Sequence, residues 1–435
     1  MNDKHSAFLN KMKDLLGEDF DAFDKSLSLP SQKSLYVNEN KISVNKFKEI
    51  IDFNIEQIPY EKAGFYIDDE KRGRHPLHHA GAFYLQEPSA MFTVNAFSFK
   101  GDEKVLDMCA APGGKTIQIA NRIPNGVLVS NEFVNSRSKI LFSNVERMGL
   151  KNVIITNEKP ENLAKAYVNT FDVCLVDAPC SGEGMFRKGD DVISHWNENL
   201  PQMCAERQKE ILLSADKVLK QNGVLIYSTC TYSIEENEDI VNWLIGELGY
   251  QIVNINADLP RGINMLEAVR LYPHKVKGEG QFIAVLIKKT KNNAINTNIL
   301  RLNRSKMAEK FIFTETGKVM ECFEYDNRSY IIPDLSLIKK GINYVSLGVI
   351  VGENLKSRFE PHHNLFTALS DDLKLKINFD FNTKEIQNYL KGEVLETDLS
   401  DGYGVILASG CAVGGFKISQ GKFKNLYPKG LRNFK

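Results

Sequence analysis

Between residues 102 and 290, short apolar runs alternate with longer stretches in which apolar side chains recur every three or four positions. The short runs read as buried strands and the longer stretches as amphipathic helices. Strands are predicted at 104–108, 127–131, 153–156, 173–177, 224–228, 251–255 and 281–288. Helices are predicted at 114–122, 136–148, 160–168, 203–220 and 235–248. The helix at 203–220 is the clearest: Ile211, Leu212, Ala215, Val218 and Leu219 share one side, and Asn222-Gly223 ends it. This alternation predicts an α/β fold, a mostly parallel sheet with helices on both faces.

The flanks carry weaker patterns. Phe8, Met12, Leu15 and Leu16 fall at helical spacing before Gly17. Leu35–Val37 reads as a strand and Val44–Phe53 as a helix. Residues 71–79 read as a basic, turn-rich loop, and Pro88 suits the first turn of a packing helix. The stretch 292–304 is polar and without aromatic residues, as a linker would be. Residues 305–375 read as a mixed α/β segment. Residues 376–435 read as a small β domain, with a helix near 384–391 and Gly-rich turns. The chain thus divides into 1–74, 75–291, 292–304, 305–375 and 376–435.

Composition narrows the class. At 435 residues the chain holds more than one domain. The polar start Met1-Asn-Asp-Lys-His-Ser carries no signal-peptide pattern. No apolar run approaches about 18 residues, so no membrane span is expected. The seven cysteines are odd in number and match neither a disulfide framework nor zinc spacing, so free thiols in a reducing cytoplasm and no metal are the expectation. Basic and acidic residues balance at 55 each, which argues against nucleic-acid binding by bulk charge. The tail from Cys411 changes that picture. It carries Lys417, Lys422, Lys424, Lys429, Arg432 and Lys435, no acid, and Phe416, Phe423, Tyr427 and Phe434 interleaved. This pattern fits a nucleic-acid surface.

Three predicted strands end in loops loaded with chemistry, where open α/β sheets keep their sites. The first loop, Asp107-Met-Cys-Ala-Ala-Pro-Gly-Gly-Lys115, has small residues that let a ligand approach the backbone and a helix N-terminus that favours an anionic group. Its glycine spacing matches neither the dinucleotide fingerprint nor a phosphate loop. The strand at 127–131 ends in Glu132, placed to bond the ribose hydroxyls of an adenosine. The strands at 173–177 and 224–228, if neighbours about 4.8 Å apart, send Cys180 and Cys230 into one pocket. Two thiols at matching strand ends, one preceded by Asp177-Ala-Pro, outweigh the ordinary reading of cysteine as a small hydrophobe. Cys174, Cys204, Cys322 and Cys411 read as packing residues.

These motifs, together with Tyr84-Leu-Gln-Glu-Pro-Ser-Ala-Met91, Ser228-Thr-Cys-Thr-Tyr232 and Arg270-Leu-Tyr-Pro-His-Lys-Val-Lys-Gly-Glu-Gly280, resemble the RNA 5-methylcytosine methyltransferases of the Sun/Fmu type. Within that family the chain is similar to the bacterial RsmF-like ribosomal RNA enzymes, and Asn425-Leu-Tyr-Pro-Lys-Gly-Leu-Arg432 resembles their PUA-like module. The resemblance implies a class I methyltransferase sheet, Rossmann-like and seven-stranded, with an N-terminal α/β extension and a C-terminal PUA-like β domain. It implies S-adenosylmethionine as cofactor, bound by Cys109, Ala110, Ala111, Pro112, Gly113, Gly114, Lys115, Glu132, Arg137 and Asp177. Where relatives place an Asp for the adenine, this chain has Asn157.

The resemblance makes Cys230 the nucleophile, Cys180 the residue that helps release product, and Asp177 a further catalytic group. Carbon 5 of cytosine is a poor nucleophile, and a thiolate added at carbon 6 makes it enamine-like. The base must be unstacked to reach such a pocket. Ribosomal RNA or the small ribosomal subunit is the expected partner, and the expected state is a monomer. Lys71, Arg72, Arg74, Arg187, Lys188, Lys275 and Lys277 are candidates for holding the RNA backbone. Three other readings remain open here. One is action on another RNA such as tRNA, and one is a different specificity, such as DNA cytosine or another carbon-5 pyrimidine site, with the nucleophile in the Pro179-Cys180 loop. The third is a non-catalytic ribosome-assembly protein.

Overall fold

Val105, Leu106, Val129, Ile154, Val173 and Leu175 are all buried, as strands covered on both faces require. The computed structural model describes residues 3–68, 70–188, 190–293, 298–356 and 358–432, without the side chains of Asp3, Glu70, Lys71, Lys188 and 190–192. Its central sheet is built from β1 (Lys104–Asp107), β2 (Val127–Asn131), β3 (Val153–Thr156), β4 (Phe171–Asp177), β5 (Leu219–Thr229), β6 (Tyr250–Val253), β7 (Arg261–Gly262), β8 (Met265–Leu271), β9 (Gln281–Lys288) and β10 (Tyr344–Ser346). The order is β7-β8-β9-β5-β4-β1-β2-β3-β10, and β6 also pairs with β9. The five strands from β3 to β5 are parallel, while β9 runs antiparallel to β5. The loops after β1 and β4 therefore meet where the strand order reverses.

The sheet has ten strands rather than the seven expected. In β8 the charged residues Glu267 and Arg270 hide the apolar run, but Arg270 is buried and paired with Glu238. In β10 three residues from the middle segment pair antiparallel with β3, a long-range contact with no local signal. The helix Leu200–Val218 stops before Asn222-Gly223. Asn222 instead takes a left-handed φ of 62° inside β5, where the pairing register with β4 jumps.

The N-terminal helices Asp3–Leu16 and Phe20–Leu27 pack Phe8, Met12 and Phe23 against Phe186, Trp196, Tyr232 and Tyr272 of the central domain. An antiparallel sheet of 33–37, 55–57, 64–67 and 83–85 follows. The predicted loop at 71–79 is two helical turns, Glu70–Arg74 and Pro76–His79. The middle segment forms a five-stranded sheet that begins at Asn303–Arg304, inside the expected linker, with the helix Lys306–Thr316. The C-terminal segment pairs 375–379, 402–408, 411–419 and 422–425 beside the helix Lys384–Lys391. Phe416, Phe423 and Tyr427 are buried in that domain, so they are core residues and not part of a nucleic-acid face. Phe434 and Lys435 lie outside the described residues, as do 294–297 of the expected linker.

Candidate active site

The loop after β1 turns sharply into the helix Gly114–Arg122. Gly113 has a φ of 114°, a conformation that favours glycine, and a Cβ there would press on Leu141. A Cβ on Gly114 would meet the side chains of Gln86 and Tyr84 at 3.1 and 3.2 Å, so this glycine lets the segment 84–87 lie directly over the loop. Between them is a cavity lined by Cys109, Ala110, Ala111, Pro112, Gly114, Lys115 and Asp177. Tyr84, Leu85, Gln86, Glu87, Ala90 and Asp107 complete its wall.

Asp107 was not anticipated as a site residue, although it begins the quoted motif. One of its oxygens accepts from Thr116 Oγ1 at 2.8 Å; the other is buried without a hydrogen-bond partner. Burial pushes its carboxyl up to about 7. Lys115 Nζ lies 2.7 Å from Asp177 Oδ2, and Ser228 Oγ donates to Asp177 Oδ1 at 2.7 Å. Burial disfavours the charge on Lys115, but the adjacent Asp177 overrides it and holds the ammonium above its ordinary value. Cys109, in the same loop, is pushed well up by burial.

The two thiols meet as their strand ends predict. Cys180 Sγ and Cys230 Sγ are 3.3 Å apart, and the Cys230 amide points at Cys180 Sγ from 3.4 Å. Asp177 and Ser228, paired across β4 and β5, join this pair to the cavity wall. The hydrogen bond to Cys230, and after it burial, raise the Cys180 thiol well above its ordinary range. The two sulfurs are close enough for an S–H···S contact between them.

A family model described as 16S rRNA methyltransferase RsmB/F matches residues 94–287. Models for the N-terminal domain of 16S rRNA methyltransferase RsmF and for the methyltransferase RsmF PUA domain match 5–88 and 376–433. A ribosomal RNA small subunit methyltransferase F of Psychromonas ingrahamii is 31% identical over 98% of this chain and 96% of its own length. The chain belongs to the ribosomal RNA small subunit methyltransferase F family. A Serratia proteamaculans member of that family is 39% identical over 65% of this chain and 63% of its own. A solved methyltransferase homologue from Pyrococcus horikoshii superposes with a TM-score of 0.57, at 30% identity, over 63% of this chain and 92% of that one. The central sheet is thus a class I methyltransferase sheet, and the C-terminal β domain is a PUA domain.

In this RNA methyltransferase the remaining expected residues divide into two groups. Glu132, Arg137 and Asn157 gather beside the cavity but bond mainly to protein. Glu132 accepts from the Val134 amide at 2.9 Å and lies 3.4 Å from Arg137 Nη1. Arg137 also donates to the Ala111 carbonyl at 2.8 Å, tying Glu132 to the glycine loop. Asn157 donates to the carbonyls of Glu132 and Phe133, and its oxygen accepts from Asn135. Its amide thus ties the Glu132 loop together.

The proposed RNA contacts fare unevenly. Arg187 is buried in an ion pair with Glu279 at 2.9 Å, so it is structural. Lys275 pairs with Asp19, Lys277 with Glu56, and Arg72 lies over Phe53 at 4.1 Å. Arg74 is exposed, as are Lys422, Lys424 and Lys429. The side chains of Lys71 and Lys188 lie outside the described residues. Among the described residues no helix is long and apolar enough to cross a membrane, and no His, Cys, Asp and Glu group is arranged to hold a metal ion.

Proposed function

We propose that this protein methylates carbon 5 of cytosine in small-subunit ribosomal RNA, with S-adenosylmethionine as methyl donor and a covalent adduct on Cys230. The observation that carries this reading is the pair of thiols 3.3 Å apart, beside the Lys115–Asp177 ion pair, at the ends of adjacent strands. Membership of a ribosomal RNA methyltransferase family supports the substrate class.

The cavity fits S-adenosylmethionine. The glycine cradle would be filled by a Cβ at Gly114, and the orphaned oxygen of buried Asp107 suits a ligand that carries an ammonium. Glu132 is an acid at the β2 end, beside Arg137. Bound there, the cofactor supplies an electrophilic methyl group. Everything else falls to side chains of this chain. The Cys230 thiolate adds to carbon 6 of the unstacked cytosine, and the ring electrons move to carbon 5. Lys115 supplies a positive donor at the pyrimidine edge and Asp177 an acceptor for the exocyclic amine. Both Asp177 oxygens accept protein hydrogen bonds, so the donor role at this edge falls to Lys115. After methylation the carbon 5 proton leaves to water, with Cys180 beside the Cys230 sulfur that must depart. The bond from carbon 6 to sulfur then breaks, and the ring double bond and free Cys230 are restored.

The rival nucleophile is Cys180, whose sulfur lies 3.3 Å from that of Cys230. The test is methyl transfer from labelled S-adenosylmethionine to 30S subunits and free ribosomal RNA from a strain lacking the gene. We expect Cys230→Ala to remove 5-methylcytosine formation by about 10⁴-fold or more, and Cys180→Ala to accumulate an RNA adduct. Labelling of tRNA alone would move the substrate to another RNA. Absence of cofactor binding would favour the assembly-protein reading.

A further inference from the structure

A hydroxyl residue follows each cysteine: Ser181 after Cys180 and Thr231 after Cys230. Their oxygens lie 2.7 Å apart. Each also meets a carboxyl group from the opposite loop. Ser181 Oγ contacts Glu236 Oε1, and Thr231 Oγ1 lies 3.1 Å from Glu183 Oε2. Both glutamates are 0% exposed. Four oxygens therefore form one buried line, Glu236–Ser181–Thr231–Glu183, and its links cross from one cysteine loop to the other.

Counting protons along this line decides its state. Three contacts need three protons, but two hydroxyls own two. If both carboxyls were ionised, one contact would oppose lone pairs in a buried site, a costly arrangement. The third proton must sit on a carboxyl. Glu183 Oε1 accepts from Lys11 Nζ and Trp196 Nε1, each at 3.1 Å, and its Oε2 accepts from the Tyr232 amide at 3.2 Å. Those donors suit a charged carboxylate. Glu236 differs. Its Oε2 accepts from the Ser181 amide at 3.0 Å and from Gln208 Nε2 at 2.8 Å, which leaves Oε1 to carry the proton. The titratable groups facing it are Glu183, the thiols of Cys180 and Cys204, and the Tyr227 hydroxyl. Burial, with Glu183 adding to it, pushes Glu236 up to about 7.

We propose that Glu236 is a positioning residue that acts as a neutral acid, its proton closing a relay through Ser181 and Thr231 to ionised Glu183 and so holding the two cysteine loops in register. This rests on the reading of Cys230 as nucleophile. It also gives the N-terminal helix a place in the site, because Lys11 is the cation beside Glu183.

Glu236→Gln separates this role from a merely structural one. Glutamine keeps an N–H donor toward Ser181 and a carbonyl toward the Ser181 amide, so it mimics the neutral acid and cannot ionise. In the full-length protein, alkylation of Cys230 by iodoacetamide is followed by peptide mass spectrometry from about pH 5.5 to about 8.5. The wild type should depart from a single-thiol profile near neutrality, as Glu236 ionises and the relay opens. Glu236→Gln should follow a single titration, and the infrared C=O band of protonated carboxyls at acid pH should lose one component while that of Asp107 remains. Glu236→Ala should lower kcat about tenfold while leaving the KM for RNA in place. The proposal is overturned if Glu236→Gln loses as much kcat as Glu236→Ala, or if the band or the profile is unchanged. Retained methyl transfer in Cys230→Ala would instead sink the nucleophile reading, and would leave the band and the profile standing.

Discussion

The glycine loop Cys109–Lys115 and the pair of cysteine loops lie side by side at the same end of the sheet, yet they are held in different ways. The glycine loop is kept in shape largely by near neighbours, with Arg137 and Asn144 donating to its Ala111 and Pro112 carbonyls. Asp107 takes the Thr116 hydroxyl, Gly113 adopts a conformation that favours glycine, and a nine-residue helix follows at once. The cysteine loops are held by groups far apart in the chain. Glu183 is reached by Lys11, Trp196 and Thr231, and Glu236 by Ser181 and Gln208. A cofactor cradle can be written as a short local motif. A pair of reactive sulfurs needs a scaffold drawn from across the molecule, because two loops must be registered against each other.

The largest effect should come where the two regions join. Lys115→Met leaves the half-buried Asp177 without its ammonium and the pyrimidine edge without its donor. We expect kcat to fall by about 10²- to 10³-fold, measured as single-turnover methyl transfer with saturating cofactor. A smaller and more one-sided effect is expected from Gly113→Val. A branched side chain is strained at this φ, so cofactor affinity should fall about tenfold or more by calorimetry, while Cys230 alkylation stays at the wild-type rate. Equal damage to both readouts would break the distinction between locally and remotely supported loops.

The smallest effect is one of pH. Asp107 is held protonated below about 7 by burial, and only its carboxylate pairs with an ammonium. Cofactor affinity should therefore rise as pH climbs toward about 7 and level off above it. The change should be a few-fold at most, and Asp107→Asn should flatten the curve. An affinity that falls over this range would place the ammonium elsewhere.

The same contrast explains what could be read from the chain. The parallel strands, the glycine loop and the meeting of Cys180 with Cys230 followed from apolar periodicity and from the strand-end rule. Asp107 was in view but read as the end of a strand, since nothing local marks an oxygen left unpaired. Gln86 carries no local signal of a site, because its approach to Gly114 is a tertiary fact. The basic tail misled in one respect: its aromatic residues alternate with lysines because a two-faced strand buries one side, not because they face a ligand. Arg187 misled in the same way, since a charge in sequence does not show its buried partner Glu279. Glu183 and Glu236 gave no signal beyond being acids near cysteines.

The three residues of β10 carry a consequence for how the molecule comes off the ribosome. Tyr344–Ser346 cover the outer edge of β3, and the Tyr344 hydroxyl lies 3.1 Å from that of Tyr167 beneath it. Until this stretch emerges, the newly made methyltransferase sheet exposes a bare row of amides and carbonyls, the kind of edge that recruits a strand from another copy. A fragment ended at 291 would keep that exposed rim permanently. The middle segment thus acts as a late-arriving guard for a sheet whose other strands are all made before it.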